Sequence, residues 1–119
     1  MFQIPVSDLL ASYSGDSKAF SFSGEIYDGY LSDIRFLTPL EFSVRIIALD
    51  DGVDVIFDSL STTILYEDRK HAISIGHFER TYKTHVDPLD PDDIRPIENN
   101  MIDLTPVLRE EIIMATYST

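Results

Sequence analysis

Four aspartates, Asp87, Asp90, Asp92 and Asp93, fall within seven positions, and a hard cation such as calcium or magnesium is held by several oxygens converging on one point. Their spacing does not build such a site. A calcium loop alternates its acidic residues around a glycine and closes on a glutamate, whereas Pro91 interrupts this run and no glycine stands in it. The cluster reads as a solvated acidic segment. The three histidines, His71, His77 and His85, are the other residues suited to metal ligation or general-base work. Their even spacings would put them on one face of a single strand, but His71 and His77 would then lie about 20 Å apart, too far for one ion. They read as exposed histidines of a β face, and no metal site is predicted.

No serine sits in a G-x-S-x-G elbow, no G-x-x-x-x-G-K-[ST] phosphate loop occurs, and the chain has no cysteine. No catalytic residue and no cofactor is therefore predicted. Carboxylates that only the fold brings together, as a metal-dependent hydrolase would need, leave no such trace in sequence.

One charge asymmetry remains. Arg69, Lys70, Arg80 and Lys83 supply four of the nine basic residues within fifteen positions of a chain whose formal net charge is −12 and whose isoelectric point is near 4.3. As a strip they could contact RNA phosphates, although no aromatic interleaving of the RNA-recognition kind accompanies them. As charges on an exposed edge strand they would instead guard against pairing with another chain. The acidity itself repels nucleic acid at long range and favours basic partners, or does no more than keep the protein soluble.

The elements that must carry these residues are mostly strands. At 119 residues, 44% of them hydrophobic and 25% charged, the chain suits a single domain, 1–119, with one core. Stability must come from packing, since disulfides are impossible. The N-terminus lacks a basic start followed by an apolar run, and no stretch is apolar enough to span a bilayer, so a cytoplasmic protein with no membrane partner is expected. Met1 to Ile4 is β-compatible before Pro5, and Ser7 can cap a helical turn carrying Leu9, Leu10 and Tyr13. Ala19 to Ile26 alternates as a strand. Leu40, Phe42, Val44 and Ile46 alternate with polar residues up to Asp51-Gly52, a hairpin signal in which glycine accepts positive φ. Val53, Val55 and Phe57 begin a return strand that continues through Leu60, Thr62 and Ile64 to Tyr66. After the charged turn Glu67-Asp68-Arg69-Lys70, a further β run places Ile73, Ile75, Phe78 and Tyr82 toward the core.

Residues 85–100 hold three prolines and five acidic residues against one arginine, a composition that resists helix and sheet and predicts an extended linker. Thr105 as N-cap and Pro106 at the first helical position then open a helix over 105–116, with Val107, Leu108, Ile112 and Ala115 on one stripe. The fold class expected is α+β: an antiparallel meander or partly closed β-barrel of about five to six strands, with a short N-terminal helical turn and a C-terminal helix packed on the sheet.

At the C-terminus, Ile102-Asp103-Leu104, then Val107-Leu108-Arg109-Glu110-Glu111-Ile112-Ile113, preceded by the proline-rich acidic stretch and Pro96-Ile97-Glu98, resembles the signature of the YceD family. Ile4 to Leu10 resembles that family's opening strand and turn, and Arg35-Phe36-Leu37-Thr38-Pro39 the approach to its central hairpin. Where many members carry C-x-R-C-L-x-P, this chain has Asp33 and Phe36 in place of the cysteines, so no metal or redox role attached to them carries over. The resemblance implies a noncatalytic factor that supports synthesis, processing or stability of the large-subunit (23S) ribosomal RNA. On that expectation Glu98, Asp103, Arg109, Glu110 and Glu111 would engage a basic large-subunit ribosomal protein or assembly factor. The alternative is direct contact with ribosomal RNA through Arg69, Lys70, Arg80 and Lys83.

Overall fold

In the computed structural model, which describes residues 2–24, 33–91 and 93–118, alternation of apolar and polar residues produces the long strands that the sequence predicts. β1 (Gln3–Pro5) and α1 (Ser7–Leu10) lead to β2 (Ser17–Gly24), β3 (Arg35–Phe36), β4 (Leu40–Ala48), β5 (Gly52–Tyr66) and β6 (Arg69–Lys83). β7 (Arg95–Pro96), β8 (Met101–Asp103) and α2 (Thr105–Tyr117) complete the order. The predicted strand end at Glu25 and Ile26 lies outside the described residues.

The main sheet runs β2-β4-β5-β6-β7, with β3 beside β5, and every pairing is antiparallel except that of β6 with β7. It is an open sheet. The barrel alternative is thereby corrected: β2 and β7 end the strand path and do not pair with each other, while β1 and β8 form a separate two-stranded sheet. One face of the main sheet is buried. Leu40, Phe42, Val44, Ile46, Val53, Val55, Phe57, Leu60 and Ile64 point there, and Val107, Leu108 and Ile112 of α2 complete the same core. Thr116, rather than the expected Ala115, is the last fully buried residue of the helix, its hydroxyl donating to the Ile112 carbonyl at 2.7 Å. Aromatic rings run across the sheet, with Phe57 stacked on Phe78 at 4.3 Å and Phe22 on Phe42 at 4.9 Å.

The buried positions of β5 change parity between Phe57 and Leu60, where Ser59 adopts φ 43° and two residues, Ser59 and Leu60, stand opposite Phe42 of β4. β6 changes parity with it, at Gly76 and His77, because its register to β5 is continuous. This bulge explains how Ile73 and Tyr82, nine positions apart, are both buried in one strand.

Three local expectations are corrected. Gly52 does not take positive φ, which among described glycines belongs to Gly15; it is needed because the Tyr82 carbonyl oxygen occupies the space of a Cβ. Neither Ser7 nor Thr105 caps a helix with its side chain. The Thr105 hydroxyl instead accepts from the Phe2 N–H at 2.9 Å, and the Asp103 carboxylate, two residues earlier, accepts from the Thr105 N–H at 3.0 Å. Finally, residues 85–100 are not an extended linker throughout. Arg95–Pro96 pairs parallel to Tyr82–Lys83, the Ile97 N–H donates to the Lys83 carbonyl, and Asn99 and Asn100, both near φ 55°, form a tight turn bridging Glu98 to Met101. Asparagine tolerates this left-handed conformation better than other non-glycine residues.

Candidate partner-binding surface

The residues expected to meet a partner separate into two groups. Glu98 follows β7, Asp103 ends β8, and Arg109 and Glu110 lie on the outer side of α2, all four exposed. Glu111 does not belong with them. Its carboxylate turns to the sheet and receives the Arg80 guanidinium at 2.5 Å, the two side chains being 14% and 19% exposed. Residue 111 is one turn of helix from the buried Leu108 and next to the buried Ile112, so the helical period carries it toward the sheet.

The four basic residues do not form one strip. Arg69 and Lys70 stand beside the turn at the tip of the β5–β6 hairpin, and Arg80 lies ten residues further along β6, roughly 30 Å away at strand rise. Arg80 is bound to Glu111 and lies 5.5 Å from the Phe78 ring centre; Lys83 contacts Asp90 at 3.3 Å and Asp51 at 3.5 Å. The Asp90 carboxylate, which also accepts from the Asp87 N–H at 2.9 Å, holds the Lys83 ammonium above its ordinary pKa. The acidic cluster therefore serves a folded turn around Lys83, with Asp87 accepting from the Leu89 N–H. Asp92 lies outside the described residues.

The histidines do not share a face. His71 packs on the core side, its ring 6.3 Å from that of Tyr66, whereas His77 lies beyond the parity change on the outer side, and His85 lies beyond the end of β6. Asp58 at 3.4 Å and Glu79 at 3.3 Å flank the His77 ring, and their hydrogen bonds raise its pKa above 6.5. A raised folded-state pKa gives stability that is complete below the unfolded value near 6.5 and is lost as pH rises through the folded value. Proton-detected titration of His77 should show a midpoint above 6.5, with a small fall in Tm over that window which His77→Gln removes; a midpoint at or below 6.5 would contradict this geometry. Among the described residues no three His, Asp or Glu side chains converge as a metal site would need.

Glu98 and Asp103 are brought to one place: both line an open cleft of about 360 Å³ between β7, β8 and the start of α2. Its lining is mixed: Pro96, Met101, Ile102 and Pro106 supply apolar wall, Gln3 and Asn99 add polar wall, and the buried Tyr82 also borders it. The Tyr82 hydroxyl donates to the Asp103 carbonyl at 3.3 Å, and burial pushes its phenol up in pKa, so it stays neutral. Arg95 also borders the cleft, but its guanidinium is received by the Glu110 carboxylate. Arg95 and Tyr82 carry no sequence mark of this role; Asn99-Asn100 does, as a tight-turn pair between two β-compatible runs. The whole chain matches no family model, no curated protein and no solved structure.

Proposed function

We propose that this protein is a noncatalytic cytoplasmic factor that supports accumulation of large-subunit ribosomal RNA by binding a basic ribosomal protein or assembly factor. The RNA context rests on the resemblance of the C-terminal string to the YceD family. The binding mode rests on one observation: Arg80, Lys83 and Arg95 are taken up in ion pairs with carboxylates of the fold, while Glu98 and Asp103 stay exposed at the cleft. Such a surface on a chain of net charge −12 attracts a basic partner and repels phosphate. Direct RNA contact through Arg69, Lys70, Arg80 and Lys83 loses support, because two of the four are at the hairpin tip and two are engaged by carboxylates.

Affinity capture of the tagged protein at low and moderate salt, with and without RNase, tests the reading. The expected result is a large-subunit protein or assembly factor that survives RNase and weakens with salt, and that binds again when both proteins are purified. Recovery of ribosomal RNA alone, lost on RNase treatment, would overturn it.

A further inference from the structure

The cleft beside α2 has an order of chemistry that matches one kind of side chain. Pro96, Met101 and Pro106 supply apolar wall, and the Glu98 and Asp103 carboxylates stand among the lining residues that remain exposed. Arginine and lysine are built the same way, with an apolar stem ending in a cation, and they bury the stem while keeping the head near water or a carboxylate.

We propose that this cleft seats one arginine or lysine side chain from a basic segment of the protein partner. The methylene stem lies against Pro96, Met101 and Pro106, and the cationic head is received between Glu98 and Asp103. The inference rests on the acidic-surface reading above and gives that surface a point of specificity.

Charge decides among the possible occupants. The lining carries two carboxylates, Glu98 and Asp103, and one guanidinium, that of Arg95, whose Nη2 is received by Glu110 and whose Nε is buried without an acceptor. The uncompensated charge in the cleft is thus negative, and an anionic ligand is repelled. A hard cation asks for six or more oxygens, whereas one carboxylate oxygen of Asp103 is already accepting from the Thr105 N–H. A guanidinium or ammonium head needs only a few acceptors around it, and arginine presents a planar fork suited to carboxylates. The size fits as well, since about 360 Å³ of open cleft takes a side chain but not a folded element.

The test uses the intact protein, labelled with nitrogen-15, and two synthetic peptides: a glycine-serine peptide containing two arginines, and the same peptide with citrulline, which keeps the shape and loses the charge. The arginine peptide should shift the amide signals of Asn99, Met101 and Asp103, and the citrulline peptide should not. Glu98→Lys should weaken arginine-peptide binding about tenfold, combining loss of one exposed ion pair with a new repulsion. Glu41→Lys makes the same charge change on the opposite face of the sheet at β4, and should weaken binding at most about twofold. Both positions are exposed, and the dispersion of each spectrum reports whether the fold is intact. Equal weakening by the two substitutions, shifts confined to another part of the surface, or equal binding of the citrulline peptide would each overturn the cleft assignment and leave the acidic-surface reading standing. That broader reading falls separately, if the captured partner still binds when Glu98→Lys, Asp103→Asn and Glu110→Lys are combined.

Discussion

Gly52→Ala should lower stability by about 3 kcal/mol or more, read as a fall in the urea midpoint with the fold otherwise retained or, if the margin is small, as failure to fold at all. A Cβ at this position would lie 2.0 Å from the Tyr82 carbonyl oxygen and 2.9 Å from the Lys83 Cα. Both obstacles are backbone of the neighbouring strand, which cannot swing aside as a flexible side chain would. Relief requires β5 and β6 to separate where Gly52 pairs with Lys83, and that separation also disturbs the Thr84 N–H to Asp51 carbonyl bond at 3.0 Å beside it. Gly76→Ala is the internal control. A Cβ there meets nothing within 4 Å and φ is ordinary, so the change should stay within about 1 kcal/mol of the parent. Similar losses at both glycines would rule out close strand approach as the reason for Gly52.

Removing one member of the Arg80–Glu111 pair should cost about 2 kcal/mol, because the remaining charge is left where water reaches it poorly, with side-chain exposures of 19% and 14%. Arg80→Ala loses in addition the packing of its stem and guanidinium against Phe78. Replacing both, Arg80→Met with Glu111→Leu, should return to within about 1 kcal/mol of the parent, since two apolar side chains of similar size fill the space without desolvating a charge. A double-mutant cycle by denaturant unfolding gives the coupling directly. Additive single effects would mean that the contact contributes nothing as a pair. The same cycle bears on function: if Glu111 is committed to Arg80, then Glu111→Gln should alter stability and leave partner affinity nearly unchanged, in contrast to Glu98→Lys.

The ion pairs join residues that local sequence pattern does not connect. Arg80 and Lys83 lie within four positions of each other and look like one basic patch, yet they serve different carboxylates, one on α2 and the other two in the turns around Asp51 and Asp90. Nothing in the local pattern marks a charged residue as engaged or free, because its partner comes from 31 residues away in one case. Glu110 and Glu111 are adjacent in the helix, and only the direction in which α2 lies across β6 separates an exposed carboxylate from one that is mostly covered.

The apolar residues were legible for the opposite reason. The β4–β5 hairpin, the return strand to Tyr66 and the C-terminal helix follow from alternation of period two and a stripe of period 3.6, since burying one face of an element is a local requirement on composition. Local composition and periodicity thus specify an α+β domain with long antiparallel strands and a terminal helix. Tertiary structure alone decided that the sheet stays open, that the bulge at Ser59 sends His71 and His77 to opposite faces, and that the acidic segment folds back on β6. It also decided that Glu98 and Asp103 meet at one cleft. These features depend on pairing between residues far apart in the chain, and long-range register leaves little trace in local periodicity.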